Sequence, residues 1–125
     1  MSETKQPRKI NLDDKFGKST LIDIPAEVAA CTDEWFNQTL TTVNSSVVRL
    51  GIVRGQFHWH KHDHGDEFFL VLDGQLLLDI EDQGSVVLNR HQAYTVPKSV
   101  LHRTRAPNKT AILMIEPASV VPTGD

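Results

Sequence analysis

The stretch Gln56-Phe-His-Trp-His-Lys-His-Asp-His-Gly-Asp-Glu67 decides how the rest of the chain is interpreted. It contains four of the six histidines, His58, His60, His62 and His64, at intervals of two residues. Because side chains alternate between the two faces of a β-strand, an extended chain would point all four imidazoles to one side. An α-helix would scatter them, since residues two apart do not share a helical face. We therefore predict a strand whose histidines share one face.

The spacing limits how many of these histidines can hold one metal ion. Neighbours in the series start roughly 6.6 Å apart, and two imidazoles can lean onto one ion at about 2.1 Å each. Three in a row would span about 13 Å, so we expect one chelating pair and spare histidines. A bend at Gly65 could return the Glu67 carboxylate to that pair. Such a donor set suits Fe, Mn, Ni, Cu or Zn.

The alternative interpretation of the same stretch is a solvated loop. Histidine-rich segments of this kind bind metal only weakly and adventitiously. The rest of the chain decides between the two interpretations.

Length and composition favour one domain in a reducing compartment. The chain has 125 residues, and its one cysteine, Cys31, can form no intramolecular disulfide. The net charge is −3 with acids and bases interspersed, so we expect no nucleic-acid partner. No apolar run reaches the length of a membrane span, and residues 1–7 lack the apolar core of a signal peptide. We expect a cytoplasmic protein with no membrane partner.

Short apolar runs separated by turn residues predict an all-β fold. Asp73-Gly74 is a strong hairpin signal, and Pro107-Asn108-Lys109 is a further predicted turn. Turns recur about every 8–12 residues, which is typical of a β-sandwich or barrel. Seven or eight short strands are predicted after residue 44, near residues 47–53, 56–64, 68–72, 75–80, 85–88, 93–96, 102–106 and 110–115.

The N-terminal part is less regular. We predict a flexible arm over residues 1–9 and a single domain over residues 10–125. Leu21–Ile24 is interpreted as a strand that ends at Pro25, and Ala26–Ala30 is the one predicted helix. Residues 35–43 are rich in β-branched side chains, which favours an extended chain.

Two motifs make the sequence resemble the cupin superfamily. The first motif is His60-Lys-His62, then four residues, Glu67, six residues and Gly74. The second motif runs from Pro97 to His102. Three positions depart from the usual second motif and its surroundings: Ser99 replaces a glycine, His91 replaces a leading glycine, and Ala106 replaces an asparagine. The likeness extends over most of the chain to small single-domain cupins, among them those described as mannose-6-phosphate-isomerase-like.

The resemblance implies a double-stranded β-helix, or jelly roll, with a metal inside the barrel. The implied ligands are His60, His62, Glu67 and His102. The implied cofactor is a divalent transition metal, Fe, Mn, Ni or Zn, with open positions for water or a small-molecule ligand. Small cupins commonly dimerise, so the resemblance also implies a homodimer.

Fold alone does not choose the chemistry of such a barrel. The leading interpretation is a metal-binding cupin that binds or acts on a small polar metabolite, by isomerase, lyase or dioxygenase chemistry. The alternative is a non-catalytic metal- and ligand-binding barrel. A third interpretation is a metal-free barrel with a histidine base, as in some sugar epimerases of this fold. An enzyme needs a titratable group beside the metal that is not a ligand, and His58 and Tyr94 are the candidate pocket residues.

Overall fold

Eight strands and one short helix are seen in the computed structural model, which describes residues 9–124. The elements in chain order are β1 (Lys9–Asn11), α1 (Ile24–Ala30), β2 (Phe36–Val43), β3 (Ser46–Gln56), β4 (Glu67–Asp73), β5 (Leu76–Ile80), β6 (Gly84–Leu88), β7 (Ala93–Val96) and β8 (His102–Pro117). The predicted all-β class with a little N-terminal helix is confirmed. The predicted arm, residues 1–9, lies outside the described residues except for Lys9, and it stays a prediction.

The longest strand, β8, takes part in both sheets of the barrel. The main sheet has the order β1-β2-β3-β8-β4-β7. Residues 111–115 of β8 lie between β3 and β4 and pair antiparallel with both. Residues 102–105 of β8 pair instead with β5, whose other neighbour is β6. This one strand therefore connects the two layers of the jelly roll.

The predicted turn at Pro107-Asn108-Lys109 is wrong, because these residues lie inside β8. The register against β3 shifts there: Val53 pairs with Thr110, and Gly55 pairs with Ala106. The surplus residues on β8 form a bulge, which bends a strand without ending it. Proline is tolerated at a bulge because its missing N–H breaks no ladder bond.

The predicted strand Leu21–Ile24 is also wrong, since Ile24 begins α1. The Asp23 side chain accepts a hydrogen bond from the Ala26 backbone N–H at 3.2 Å and caps the helix. Pro25 fits the first helical turn, where its missing N–H has no intrahelical partner to lose. An apolar run of this length does not distinguish the start of a helix from a strand. Within residues 9–124, no helix combines the length and the apolar character that crossing a bilayer requires.

The predicted strand over residues 56–64 ends at Gln56 instead. Gly55, at φ 86°, turns the chain away from its neighbours in the main sheet. Residues 57–62 then follow the start of β8, where the Phe57 N–H donates to the Thr104 carbonyl at 3.0 Å. The predicted alternation holds for His60 and His62, which are both buried. It does not extend to His64, which is exposed. The predicted common face for all four histidines is therefore wrong for His64.

Two apolar clusters hold the sheets in place. The inner cluster lies between the layers and includes Phe69 of β4 and Ile112 of β8. The outer cluster lies on the other face of the main sheet, where Leu50 and Ile52 of β3 pack with Val28 of α1. Because both faces of β3 are covered, its sequence shows little alternation between polar and apolar residues.

A compact ion cluster fastens β5 to the first half of β8. Asp79 is 5% exposed, and its Oδ2 accepts hydrogen bonds from Arg103 Nε and Arg105 Nε, both at 2.7 Å. Arg105 Nη2 and the Ser85 hydroxyl donate to the other carboxylate oxygen. The hydrogen bond from Arg105, helped by Ser85 and Arg103 against the opposing effect of burial, holds the pKa of Asp79 below its ordinary value of 3.8.

We predict that Asp79→Asn lowers the free energy of unfolding by about 2 kcal/mol at neutral pH, because two guanidinium groups lose their charged acceptor. The folded-state pKa of Asp79 is lowered, so its stabilising effect is complete above its ordinary pKa and is lost as the pH falls further. The difference between wild type and variant should therefore shrink below about pH 4. Urea denaturation of wild type and variant at neutral pH and below about pH 4 measures this difference in the free energy of unfolding. Asp82→Asn, in an exposed turn, is the control, and an equal loss in both variants would contradict the prediction.

Candidate metal centre

Four buried side chains from three segments converge at one end of the barrel. His60 and His62 follow β3, Glu67 begins β4, and His102 begins β8. The exposed fractions of the four residues lie between 1% and 8%. Their candidate ligand atoms all lie within 4.8 Å of one another. The structure thus brings together the four residues that the cupin resemblance singled out.

Backbone hydrogen bonds join the segments that carry the histidines. The His60 N–H donates to the His102 carbonyl, and the His102 N–H donates to the His60 carbonyl, both at 2.9 Å. This isolated bridge sets the two rings 4.4 Å apart between centroids. One residue pair therefore determines how the distant halves of the site meet.

Carbonyl groups orient two of the imidazole rings. His60 Nδ1 lies 2.9 Å from the carbonyl oxygen of His58, and His102 Nδ1 lies 2.9 Å from that of Val100. A carbonyl can only accept, so each Nδ1 carries the proton and donates it. In the neutral ring, Nε2 then has a free electron pair. An imidazole nitrogen in this state can bind a metal.

The Nε2 atoms of His102 and His62 lie close to a carboxylate oxygen, which is also an acceptor. Glu67 Oε1 lies 3.3 Å from His102 Nε2 and 3.2 Å from His62 Nε2. The contact with His62 has the distance of an ion pair but not the orientation of a hydrogen bond. Among the described residues, neither ring nitrogen of His62 has a hydrogen-bond partner. Lone pairs that face each other in a buried site are costly unless a proton or a metal ion lies between them.

The donor set fits a transition metal. Ligand atoms bonded to one ion at about 2.1 Å lie roughly 3 Å apart when they occupy neighbouring positions. The separations of 3.2 and 3.3 Å between nitrogen and oxygen are close to that value. Imidazole with one carboxylate suits borderline first-row ions. The His62 nitrogens, which lack hydrogen-bond partners among the described residues, and these short distances therefore fit the transition metal that the resemblance implies.

The protonation states also suit ligation. Burial, and after it the electrostatic influence of His102, lower the pKa of His60 to about 4. Burial alone would raise the pKa of Glu67, but its close contacts with His102 and His62 hold it below its usual range. At neutral pH the cluster thus offers a neutral imidazole and an ionised carboxylate.

A buried ion pair lies behind Glu67. Arg49 Nη1 is 3.0 Å from Glu116 Oε1, and both side chains are almost fully buried. Burial and the charge of Glu67 raise the pKa of Glu116, although the ion pair with Arg49 acts in the opposite direction. Sequence reasoning missed this pair, because arginines in strands usually face water. The signal that could have found Arg49 is its position in β3, two residues from Gly51 and four from Val53, on the inner face.

A cavity opens beside the cluster. It has about 420 Å³ of empty space including its open mouth, and His60 and Glu67 form part of its wall. The remaining lining is mostly apolar, with Phe57 and Phe69 among it, and Asn37 is a polar exception. Because this figure includes open solvent at the mouth, the enclosed space is much smaller.

The C-terminal strap, residues 118–124, lies over this end of the barrel. Pro122 lines the cavity, and Val120 is buried. Gly124 contacts His60 so closely that an added Cβ would lie 2.5 Å from the His60 Cβ. His58 Nε2 donates to the Thr123 carbonyl at 2.7 Å. The strap therefore covers a predicted ligand and is fastened by a histidine side chain.

The other predicted residues lie outside the cluster. His58 is half-buried and contacts the strap, and Tyr94 is half-buried and packs against the inner apolar cluster. Neither is among the residues that line the described cavity. A pocket role for these two residues stays a prediction. His64 and His91 are exposed.

Comparison with known proteins gives consistent findings. A family model described as "Cupin domain" matches residues 48–116. The uncharacterized protein YdbB of Bacillus subtilis is 39% identical over 80 residues, which cover 64% of this chain and 71% of YdbB. A cupin-2 domain containing protein from Shewanella frigidimarina is 30% identical, with a TM-score of 0.73, over 78% of this chain and 94% of that one.

One solved enzyme shares the fold at lower identity. Hydroquinone 1,2-dioxygenase from a Sphingomonas species, with 4-hydroxybenzoate bound, has a TM-score of 0.72 and 16% identity. The match covers 82% of this chain but only 33% of that chain. At this identity the likeness concerns the fold alone.

We predict that His58→Ala loosens the C-terminal strap. The loss of one hydrogen bond, about 1 kcal/mol, should speed amide hydrogen exchange at residues 120–124 about fivefold. His64→Ala, which removes an exposed histidine from the same stretch, is the matched control. Unchanged exchange at Gly124, or equal acceleration in both variants, would show that His58 does not fasten the strap.

Proposed function

This chain belongs to the cupin domain family, and we propose that it uses His60, His62, Glu67 and His102 to hold a divalent transition metal that binds a small polar molecule in the barrel. We propose Fe, Mn, Ni or Zn as the metal, since a set of three imidazoles and one carboxylate suits these ions. The family assignment agrees with the expected cupin barrel. The ligand set and the metal are the proposal.

One observation supports the proposal more than any other. His62 is 2% exposed, both of its ring nitrogens lack a hydrogen-bond partner within residues 9–124, and one of them faces the Glu67 oxygen. A buried unpaired polar group costs roughly 1–3 kcal/mol. A cation shared by His62, Glu67 and the free Nε2 of His102 would remove that cost.

The residues of the chain would divide the work. The metal would act as a Lewis acid with positions left for a ligand. The carbonyls of His58 and Val100 hold the two Nδ1–H groups and fix which nitrogen faces inward. The C-terminal strap and the apolar lining exclude bulk water, which strengthens the interaction of the site with a charged or polar ligand.

The cavity favours ligand binding over acid–base catalysis by a side chain. Among its described lining residues, His60 and Glu67 are the titratable ones, and both are proposed ligands. Isomerase, lyase or dioxygenase chemistry on this site would therefore depend on the metal. A non-catalytic metal- and ligand-binding barrel is the alternative, and the lack of a further titratable group in the described lining favours it.

The setting of the site completes the proposal. We propose a cytoplasmic protein in which residues 10–125 form one domain preceded by an arm of residues 1–9. We also propose a homodimer. Its support is the outer edge of β1, which pairs with no further strand among residues 9–124, and the exposed apolar side chains near it, Ile10 and Leu12.

We predict that wild-type protein purified without added metal carries a stoichiometric transition metal, whereas His60→Ala and His102→Ala each lose most of it. Removal of one ligand should weaken metal affinity by roughly a hundredfold or more, beyond the usual effect of residues around the ligands. Elemental analysis and metal titration measure this, and a search by mass spectrometry for a co-purified molecule would identify the ligand.

His64→Ala is the matched control, because it removes an exposed histidine two residues from His62. Full occupancy in either the His60 or the His102 variant would mean that the ligands are wrongly assigned. Wild-type protein that binds no metal would favour the metal-free barrel.

A further inference from the structure

Asn37 is a buried polar side chain in the wall of the cavity that faces the proposed ligands. It lies on β2, is 6% exposed, and lines the same cavity as His60 and Glu67. Its partner across β2 and β3 is Gly51, which offers no side chain. Within the described residues, Asn37 Oδ1 has no hydrogen-bond partner.

The lack differs between the two faces of β2: on the face of Asn37, the Thr39 hydroxyl also has no partner among the described residues, whereas Gln38 on the other face has two. Gln38, on the opposite face, donates from Nε2 to the Asp13 carbonyl at 3.0 Å and to the Thr39 carbonyl at 2.8 Å. Gln38 thus fastens the N-terminal segment to the sheet, whereas no described contact engages Asn37 Oδ1. A buried amide acceptor without a partner opposes folding and calls for an explanation, such as a ligand or water.

The surroundings of Asn37 restrict what could satisfy it. Besides Asn37, His60 and Glu67, the lining is apolar except for Thr104, and it includes Val53, Phe57 and Phe69. A ligand that reaches from Asn37 to the cluster therefore needs a polar group at each end and a short hydrocarbon between them. Because the 420 Å³ of empty space includes open solvent at the mouth, the enclosed part admits only a molecule of a few heavy atoms.

The charges at the metal site determine which end of the ligand would face the metal. A divalent ion with Glu67 as its one carboxylate ligand and neutral imidazoles keeps an uncompensated positive charge. The nearby Glu116 is paired with Arg49 at 3.0 Å and adds little net charge. An anionic oxygen, such as a ligand carboxylate, suits the open metal positions.

We propose that Asn37 forms a ligand subsite and that the ligand is a short aliphatic hydroxy acid, whose carboxylate binds at the metal and whose hydroxyl donates to Asn37 Oδ1. A hydroxyl can also accept from the amide Nδ2, so both ends of the Asn37 side chain suit it. This inference rests on the proposed metal site and adds to it the class of molecule bound.

The test uses matched pairs of probes on the metal-loaded protein. Glycolate, 3-hydroxypropionate and 4-hydroxybutyrate are each compared by calorimetry with the alkanoate in which a methyl group replaces the hydroxyl: propionate, butyrate and valerate. We expect the wild type to bind the hydroxy acid about fivefold more tightly in at least one pair. Asn37→Leu and Asn37→Ala should abolish that preference without a change in metal affinity.

Asn108→Leu, at an exposed position of β8, is the control and should keep the preference. Metal binding with no hydroxyl preference in the wild type would overturn this inference alone. So would a preference that persists in both Asn37 variants, or a failure of every probe to bind. A wild type that binds no metal in the prior titration would overturn the proposed function, and this inference with it.

Discussion

The paired backbone hydrogen bonds between His60 and His102 are the contact on which the rest of the site depends. They bring a segment after β3 onto the start of β8, and each histidine then hydrogen-bonds the carbonyl two residues before it. The same local arrangement on both segments leaves the two Nε2 atoms free and directed inward. Backbone geometry, which no side-chain substitution alters directly, thus sets the orientation of the rings.

The barrel encloses several polar and charged side chains. Arg49, Glu116 and Glu67 lie on the inner face of the main sheet, in contact in that order, and the histidines follow. Burying such groups is costly unless each finds an opposite charge or a hydrogen bond. Arg49 compensates Glu116, but the Glu67 and histidine cluster lacks a comparable cation among the described residues. A metal ion bound there, as proposed, would supply that missing charge, so the electrostatics of the interior are consistent with the proposed function.

Access to the site depends on a segment with few attachments. The C-terminal strap contacts His60 and the cavity, yet its described backbone hydrogen bonds beyond itself go only to Ser45 and Pro117. The His58 side chain supplies a further bond, to Thr123. Segments held this weakly open more readily than the strands they cover. His58, which is not a proposed ligand, thereby fastens the strap beside the proposed ligands.

The sequence by itself determined the β class and the short helix, because turn residues and hydrophobic patterning are local properties, and its resemblance to cupins indicated the four residues of the cluster. It could not determine that Leu21–Ile24 runs into a helix, that β8 continues through Pro107, or that residues 57–64 leave the ladder. Those outcomes depend on which distant strand supplies each backbone partner. The inward positions of Arg49, Glu116 and Asn37 likewise follow from the covering of both sheet faces. Only the tertiary structure decides them, since burial is set by neighbours that are remote along the chain.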